Sequence, residues 1–202
     1  GQQVLDVGCG RAALGEAIRN LGYEVWGVEN APSAVAVAKG RIDRLIERDL
    51  LDRDNIARAL SDTHFDYLVF SDVLEHVYDP VGTLKFYRSF LKPTGSVLVS
   101  VPNALAWLHR LEFLLGRFQY RDSGILDRTH VRFFTFRNTR ELARCSGLTP
   151  VKMDCTPFVV RAFLPLIKRL MGGGKGQGGD PSKLLQSRPY RIYLRWIYPL
   201  EY

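Results

Sequence analysis

Apolar and polar positions along this chain fall into short blocks with two different periods. Val4–Val7, Glu24–Glu29, His64–Phe70 and Ser96–Val101 are brief, mostly apolar runs bounded by glycine, proline or polar turns. Runs of that length with little alternation predict strands buried on both faces, as in a parallel sheet. Between them the period lengthens. Ala12 to Leu21 places Ala13, Ala17, Ile18 and Leu21 on one helical face. Ala34 to Lys39 continues a second helix opened by Asn30 and Pro32, and Pro80 to Leu91 turns Leu84, Tyr87, Phe90 and Leu91 inward. Arg44–Glu47 reads as a weak third strand, and Lys92-Pro93-Thr94-Gly95 as the turn into the fifth. Asn138-Thr139 caps a helix that Gly147 stops, Leu148–Cys155 is predicted as a sixth strand, and the alternating Arg191–Ile197 as a last, antiparallel one. Strands alternating with helices predict an α/β fold: a doubly wound, Rossmann-like, seven-stranded and mostly parallel sheet.

The first strand runs straight into a glycine turn, VLDVGCGRAALG. Gly8 and Gly10 can take positive φ and leave no Cβ in the way of a ligand approaching the next helix. Gly8, Gly10 and Ala13 satisfy the spacing of a dinucleotide fingerprint, which admits a nicotinamide- or flavin-dependent oxidoreductase. Asp6 argues for a different ligand. Two residues before the first glycine, it repels a pyrophosphate and attracts a molecule bearing an ammonium and a sulfonium. S-adenosylmethionine is such a molecule. Glu29 ends the second strand about twenty residues after the turn, where an acid can accept hydrogen bonds from ribose hydroxyls.

VLDVGCG resembles the first motif of class I S-adenosylmethionine-dependent methyltransferases, with Ala12 standing where that family usually has a third glycine. FSDVLEHVYDP, from Phe70, resembles the fourth motif of small-molecule O-methyltransferases of the ubiquinone-biosynthesis type, and Val101-Pro102-Asn103 a strand-end motif of the same family. The resemblance spans about residues 1 to 156. It implies that the backbone at Gly8 and Gly10 meets the methionine moiety of the cofactor, with Asp6 supplying charge nearby. It further implies that Asp49 and Leu50 hold adenine, and that Ser71 and Asp72 lie near the sulfonium. Asp72, Glu75 and His76 fall at i, i+3 and i+4, one face of a helical turn. Some quinone O-methyltransferases hold a divalent ion at the corresponding positions and many relatives hold none, so no metal is assigned. The polar string Leu126-Asp127-Arg128-Thr129-His130 resembles a segment of one broad methyltransferase subfamily. His130 is the leading candidate for general base, with His76 in reserve. Members of the class generally have helices before the first strand, so the chain reads as a fragment or a short homologue.

The remaining composition adds limits. At 202 residues and 46% hydrophobic content the chain is expected to form a single domain over residues 1–202, with residues 104–135 as an insertion covering the acceptor. A net charge of +7 is spread along the sequence without an RNA-binding signature, which speaks against nucleic acid as partner. Cys9, Cys145 and Cys155 lack metal or disulfide spacing and are expected to be small buried groups in a reducing compartment. With no signal peptide and no apolar run of membrane-spanning length, the expected location is cytoplasmic. Residues 158–171 could touch a membrane surface as an amphipathic helix, and residues 172–180 are too glycine-rich for regular structure. The expected function is methyl transfer from S-adenosylmethionine to a small-molecule acceptor, most readily a hydroxyl oxygen. The alternatives are a nicotinamide-dependent oxidoreductase and a catalytically inactive S-adenosylmethionine-binding module.

Overall fold

The computed structural model describes residues 1–154. Their contacts sort into two compact units, one formed by Gly1–Pro102 with Tyr120–Thr149 and one that contains Asn103–Gln119.

The first unit holds five parallel strands: β1 (Gln3–Val7), β2 (Glu24–Val28), β3 (Arg44–Ile46), β4 (Phe65–Ser71) and β5 (Leu91–Ser100), in the order β3-β2-β1-β4-β5. Side chains alternate between the two faces of such a sheet, and each face finds its own cover. Leu5, Val7, Trp26, Val28, Leu68 and Phe70 pack with residues of α3 (Arg53–Leu60), α4 (Pro80–Arg88) and α6 (Phe136–Cys145) in the larger core. Val4, Val25 and Val69 point the other way, towards Ala12, Ile18 of α1 (Ala13–Arg19) and Ala38 of α2 (Pro32–Ala38). Asp6, two residues from Val4, shares that second face. α1 lies close there because Gly15 lacks a side chain: a Cβ would come within 2.7 Å of Ile42.

From β1 the chain steps outward through β2 to β3, then returns to build β4 and β5 on the other side of β1. The chain leaving β1 and that leaving β4 therefore lead to helices in different cores, α1 and α4, and the crevice beyond their carboxyl ends is where such sheets bind ligands.

Several expectations need correcting. The described residues hold five strands; the sixth predicted strand is not formed over residues 148–154, and residues 158–171, 172–180 and 191–197, the last strand among them, lie outside the described part. α3 was not anticipated, although Asp52 caps it through the Asn55 amide and Ile56 and Leu60 are fully buried on its inner face. The Lys92–Gly95 turn is absorbed into β5 as an irregularity between the pairs Phe65–Leu91 and Tyr67–Ser96. Asp66 holds it: its carboxylate accepts from Lys92 Nζ at 2.8 Å on one side and from the Gln3 amide at 2.8 Å on the other. The caps also shift. Ala31 rather than Asn30 precedes α2, and Thr135 forms a reciprocal capping box with Asn138 ahead of α6. Cys145 is exposed rather than buried.

In the second unit, Trp107–Leu114 form α5. His109 Nδ1 meets Glu112 at 2.8 Å one turn on, and Phe113 and Phe118 stack with centroids 5.6 Å apart.

Candidate functional site

The glycine turn after β1 is held by its own backbone. Amides of Gly8 and Cys9 both donate to the Val28 carbonyl, at 2.9 and 3.1 Å, and the Ala12 amide donates to the Cys9 carbonyl at 2.8 Å. The Gly10 amide donates to Glu29 Oε2 at 3.0 Å. The amides of Gly8, Cys9, Gly10 and Ala12 are thus committed to β2 and to the turn itself. The two glycines serve different ends. Gly8, at φ +72°, would drive a Cβ to 2.7 Å from Val73, so its bareness lets the β1 and β4 loops touch; Gly10, at φ +53°, faces open space. Ala12 adopts the left-handed conformation (φ 54°, ψ 34°) with its methyl fully buried.

Beneath the turn sits Asp6. The residue is 2% exposed and its Oδ1 has no hydrogen-bond partner. Burial pushes its carboxyl up to about 6 from 3.8. The same burial, reinforced by the charges of Asp6 and Glu29, pushes the Cys9 thiol up to about 12, so Cys9 is no nucleophile at neutral pH.

Beyond the turn opens a cleft of about 220 Å³ whose walls include Gly8, Glu29, Asn30, Asp49, Leu50 and His76. Glu29 accepts from three amides there: Gly10 through Oε2, and Asn30 and Ala31 through Oε1, both at 2.8 Å. Asp49 accepts from the Leu51 amide at 2.8 Å and from Asn30 Nδ2 at 3.2 Å. Leu50 packs on the larger core while its carbonyl accepts from the Tyr87 hydroxyl at 2.9 Å. Asn30, Arg48, Leu51 and Val77 also line the cleft and were not expected. Asn30 follows directly on Glu29, and that adjacency was the signal available for it.

The loop after β4 differs from its helical reading. Asp72 takes φ +54°, its amide donates to the Ser100 carbonyl and its carboxylate accepts from the Ser100 hydroxyl at 2.7 Å. Ser71 pairs with Ser100 in the sheet. Leu74–His76 is a single 3₁₀ turn, so Asp72, Glu75 and His76 do not share a face. His130 joins Glu75 and His76 instead: the three offer ligand atoms within 4.8 Å of one another. The two imidazoles meet edge to face, centroids 4.8 Å apart. His76 Nδ1 lies 3.2 Å from the Thr129 carbonyl and His130 Nδ1 3.0 Å from the Ile125 carbonyl. A carbonyl only accepts, so each Nδ1 carries a proton and each neutral ring keeps its lone pair on Nε2. Glu75 is 1% exposed, neither carboxyl oxygen has a partner, and burial, with Asp72 adding to it, pushes its carboxyl above the usual range.

The family model described as a methyltransferase domain matches residues 1–153. The ubiquinone biosynthesis O-methyltransferase of Cereibacter sphaeroides (strain ATCC 17029 / ATH 2.4.9) is 36% identical over 154 residues, 75% of this chain and 62% of that protein. The protein of the same name from Glaesserella parasuis serovar 5 (strain SH0165) is 30% identical over 175 residues, 83% of this chain and 72% of that one. The chain thus spans about three fifths of the length of the first of these relatives. Among solved structures, an S-adenosylmethionine-dependent methyltransferase from Archaeoglobus fulgidus superposes with a TM-score of 0.57 at 18% identity, covering 84% of this chain and 79% of that one. With the family model matched over residues 1–153 and a relative 30% identical covered over 72% of its length, this chain belongs to the S-adenosylmethionine-dependent methyltransferase family.

Proposed function

We propose that this chain transfers a methyl group from S-adenosylmethionine to a hydroxyl oxygen of a small-molecule acceptor. One observation carries the reading: the carboxyl of Asp6, beneath the glycine turn, is buried and its Oδ1 has no hydrogen-bond partner. A buried carboxylate there favours a cation and disfavours a phosphate by charge. Buried Asp6 and the cleft beside Glu29 and Asp49 fit a nucleoside with a cationic amino-acid tail.

S-adenosylmethionine, when bound, supplies a methyl group made electrophilic by the sulfonium. Asp6 holds negative charge near the cationic tail. Glu29 retains one lone pair on Oε2 for a ribose hydroxyl, because its other acceptor directions are used by amides. Asp49 and Leu50 border adenine, and Ser71 and Asp72 flank the reacting end, where Ser100 fixes the Asp72 carboxylate. His130 takes the acceptor's proton through Nε2, and His76 lies against its ring. Orientation and base catalysis are the contributions this chemistry needs from a protein. The names of the two relatives support an oxygen acceptor and leave open which molecule bears it.

Calorimetric titration of the chain with S-adenosylmethionine, S-adenosylhomocysteine and NAD is the first test. The expected result is binding of both sulfur nucleosides and none of NAD; the reverse pattern overturns the proposal. Radiolabelled methyl transfer into a metabolite extract then separates an active enzyme from an inactive binding module and identifies the acceptor.

A further inference from the structure

Glu75 is a carboxyl that none of these roles uses. It is almost wholly enclosed, and neither of its oxygens accepts a hydrogen bond. A buried ionisable group without a partner is costly, and such groups concentrate where a charge is created during function. Its surroundings identify the charge. His76 and His130 stand within 4.8 Å of it by their ligand atoms, and both rings are held in the tautomer whose free nitrogen can gain a proton. The backbone joins the same groups: the Glu75 carbonyl accepts from the amides of Val131 and Arg132 at 2.9 and 3.0 Å, fastening the loop that carries His130 to the turn that carries His76.

We propose that Glu75 is a positioning residue for the base, holding the His130–His76 pair in readiness for a proton and balancing the imidazolium that forms. The inference rests on His130 acting as base. As the acceptor O–H bond breaks, its proton moves to Nε2 of His130; the new O–CH₃ bond forms while the S–CH₃ bond breaks, and the S–C electron pair stays on sulfur. The positive charge that began on the sulfonium ends on the imidazolium. Beside an ionised Glu75 the product pair is neutral, and in a water-poor setting that compensation counts for more than it would in bulk water. Other charges facing the cluster are Asp72, on the loop before Glu75, and Asp127, whose carboxylate is occupied by the amide and hydroxyl of Thr129.

Ring titration of His76 and His130 by NMR, in the wild type, Glu75→Gln and Glu75→Asp, tests this without any acceptor. Expected is a fall of about one pKa unit in the apparent values of the pair in Glu75→Gln, a tenfold loss of proton affinity. Glu75→Asp should show a smaller shift of the same sign, and His64, at the far end of β4, none. With an acceptor in hand, the acid limb of the rate profile should move to lower pH in Glu75→Gln. Unchanged titration in a folded variant overturns the inference, and if Glu75→Gln does not fold, unchanged titration in Glu75→Asp does so. Tight calorimetric binding of Zn²⁺ or Mn²⁺ that is lost in Glu75→Gln or Glu75→Asp also overturns it, because a metal-held imidazole cannot take the proton. The NMR titration and the metal calorimetry involve no methyl transfer. A failure here leaves the proposed reaction standing, and failure of S-adenosylmethionine to bind fells that reaction separately.

Discussion

The two ends of the crevice are built on opposite principles. At the β1–β2 end the polar groups already have partners: Glu29 joins three amides, Asp49 joins Leu51 to Asn30, and the turn amides close on Val28 and Cys9. At the β4 end the Glu75 carboxyl and the two imidazole rings stand close together, and neither carboxyl oxygen has a hydrogen-bond partner. Satisfied networks define a rigid shape, whereas unsatisfied groups in a buried place hold chemical potential for a ligand. The first end is suited to gripping a nucleoside of fixed outline. The second is suited to proton exchange, and Asp6, buried between β1 and α1, belongs with it in kind although it lies at the first end.

The largest effect should come from the uncommitted end. His130→Ala is expected to lower turnover ~10²–10⁴-fold while leaving S-adenosylhomocysteine affinity nearly intact. Steady-state rates beside a calorimetric titration measure both quantities. Turnover within a few-fold of wild type would transfer the role to His76, and a collapse of cofactor affinity would make His130 structural.

Asp6 should give the next largest effect, with a sign that depends on pH. Its carboxyl titrates near 6 in the folded chain against 3.8 as a free group, so the folded state holds the proton more tightly. The charged form therefore costs stability, on the order of 3 kcal/mol above pH 6, and the cost fades as pH falls from 6 to 3.8. Asp6→Asn is expected to stabilise the ligand-free chain by ~1–3 kcal/mol at pH 7.5 and by little near pH 3.5, followed by denaturant unfolding at both pH values. The same change should weaken S-adenosylmethionine about tenfold or more, and wild-type affinity should decline as pH drops through about 6. Equal cofactor affinity in the variant would mean that the carboxylate does not face the cation.

At the satisfied end the effect should be smaller and divided. Glu29→Ala leaves the amides of Gly10, Asn30 and Ala31 without their acceptor, a loss of ~1–3 kcal/mol in stability. Part of this is recovered if water reaches the amides. S-adenosylhomocysteine affinity should also fall about tenfold; a loss of stability with affinity unchanged would place the ribose elsewhere and leave Glu29 as a fastening between β2 and the turn.

This contrast also explains what could be read from the sequence. Strands and the glycine turn were legible because burial on both faces and positive φ restrict the residues that serve them: Val4–Val7, Gly8 and Gly147 each signal their own conformation. Glu29, Asp49 and Leu50 were legible as wall residues because each follows a strand or lies a few residues beyond one, so chain position fixes where they emerge. The β4 end was less so. Asp72, Glu75 and His76 suggest one helical face by spacing, but Asp72 takes a left-handed backbone and lies outside the 3₁₀ turn that carries Glu75 and His76. What brings His130 to Glu75 is a pair of backbone hydrogen bonds across more than fifty residues, and no local pattern encodes them. The α3 helix was missed for a plainer reason: its polar surface hides two buried positions, Ile56 and Leu60.

Ala12 should give the smallest effect and the finest test of the turn. Holding an L-residue at φ 54° costs ~1–2 kcal/mol, which glycine would avoid. Against that, glycine adds ~0.4–1 kcal/mol of unfolded-state freedom and gives up a fully buried methyl worth ~0.8 kcal/mol. The two sides nearly cancel, so Ala12→Gly is expected to change stability by less than ~1 kcal/mol, a shift of only ~2–4 °C in Tm at most. Cofactor affinity should stay within about threefold, because the Ala12 amide donates to Cys9 whichever residue stands there. A tenfold gain in S-adenosylmethionine affinity would instead show that the methyl presses on the space the cofactor needs. The turn would then be a tuned, weakened version of the family's glycine loop, and the satisfied end of the crevice would not be as complete as its hydrogen bonds imply.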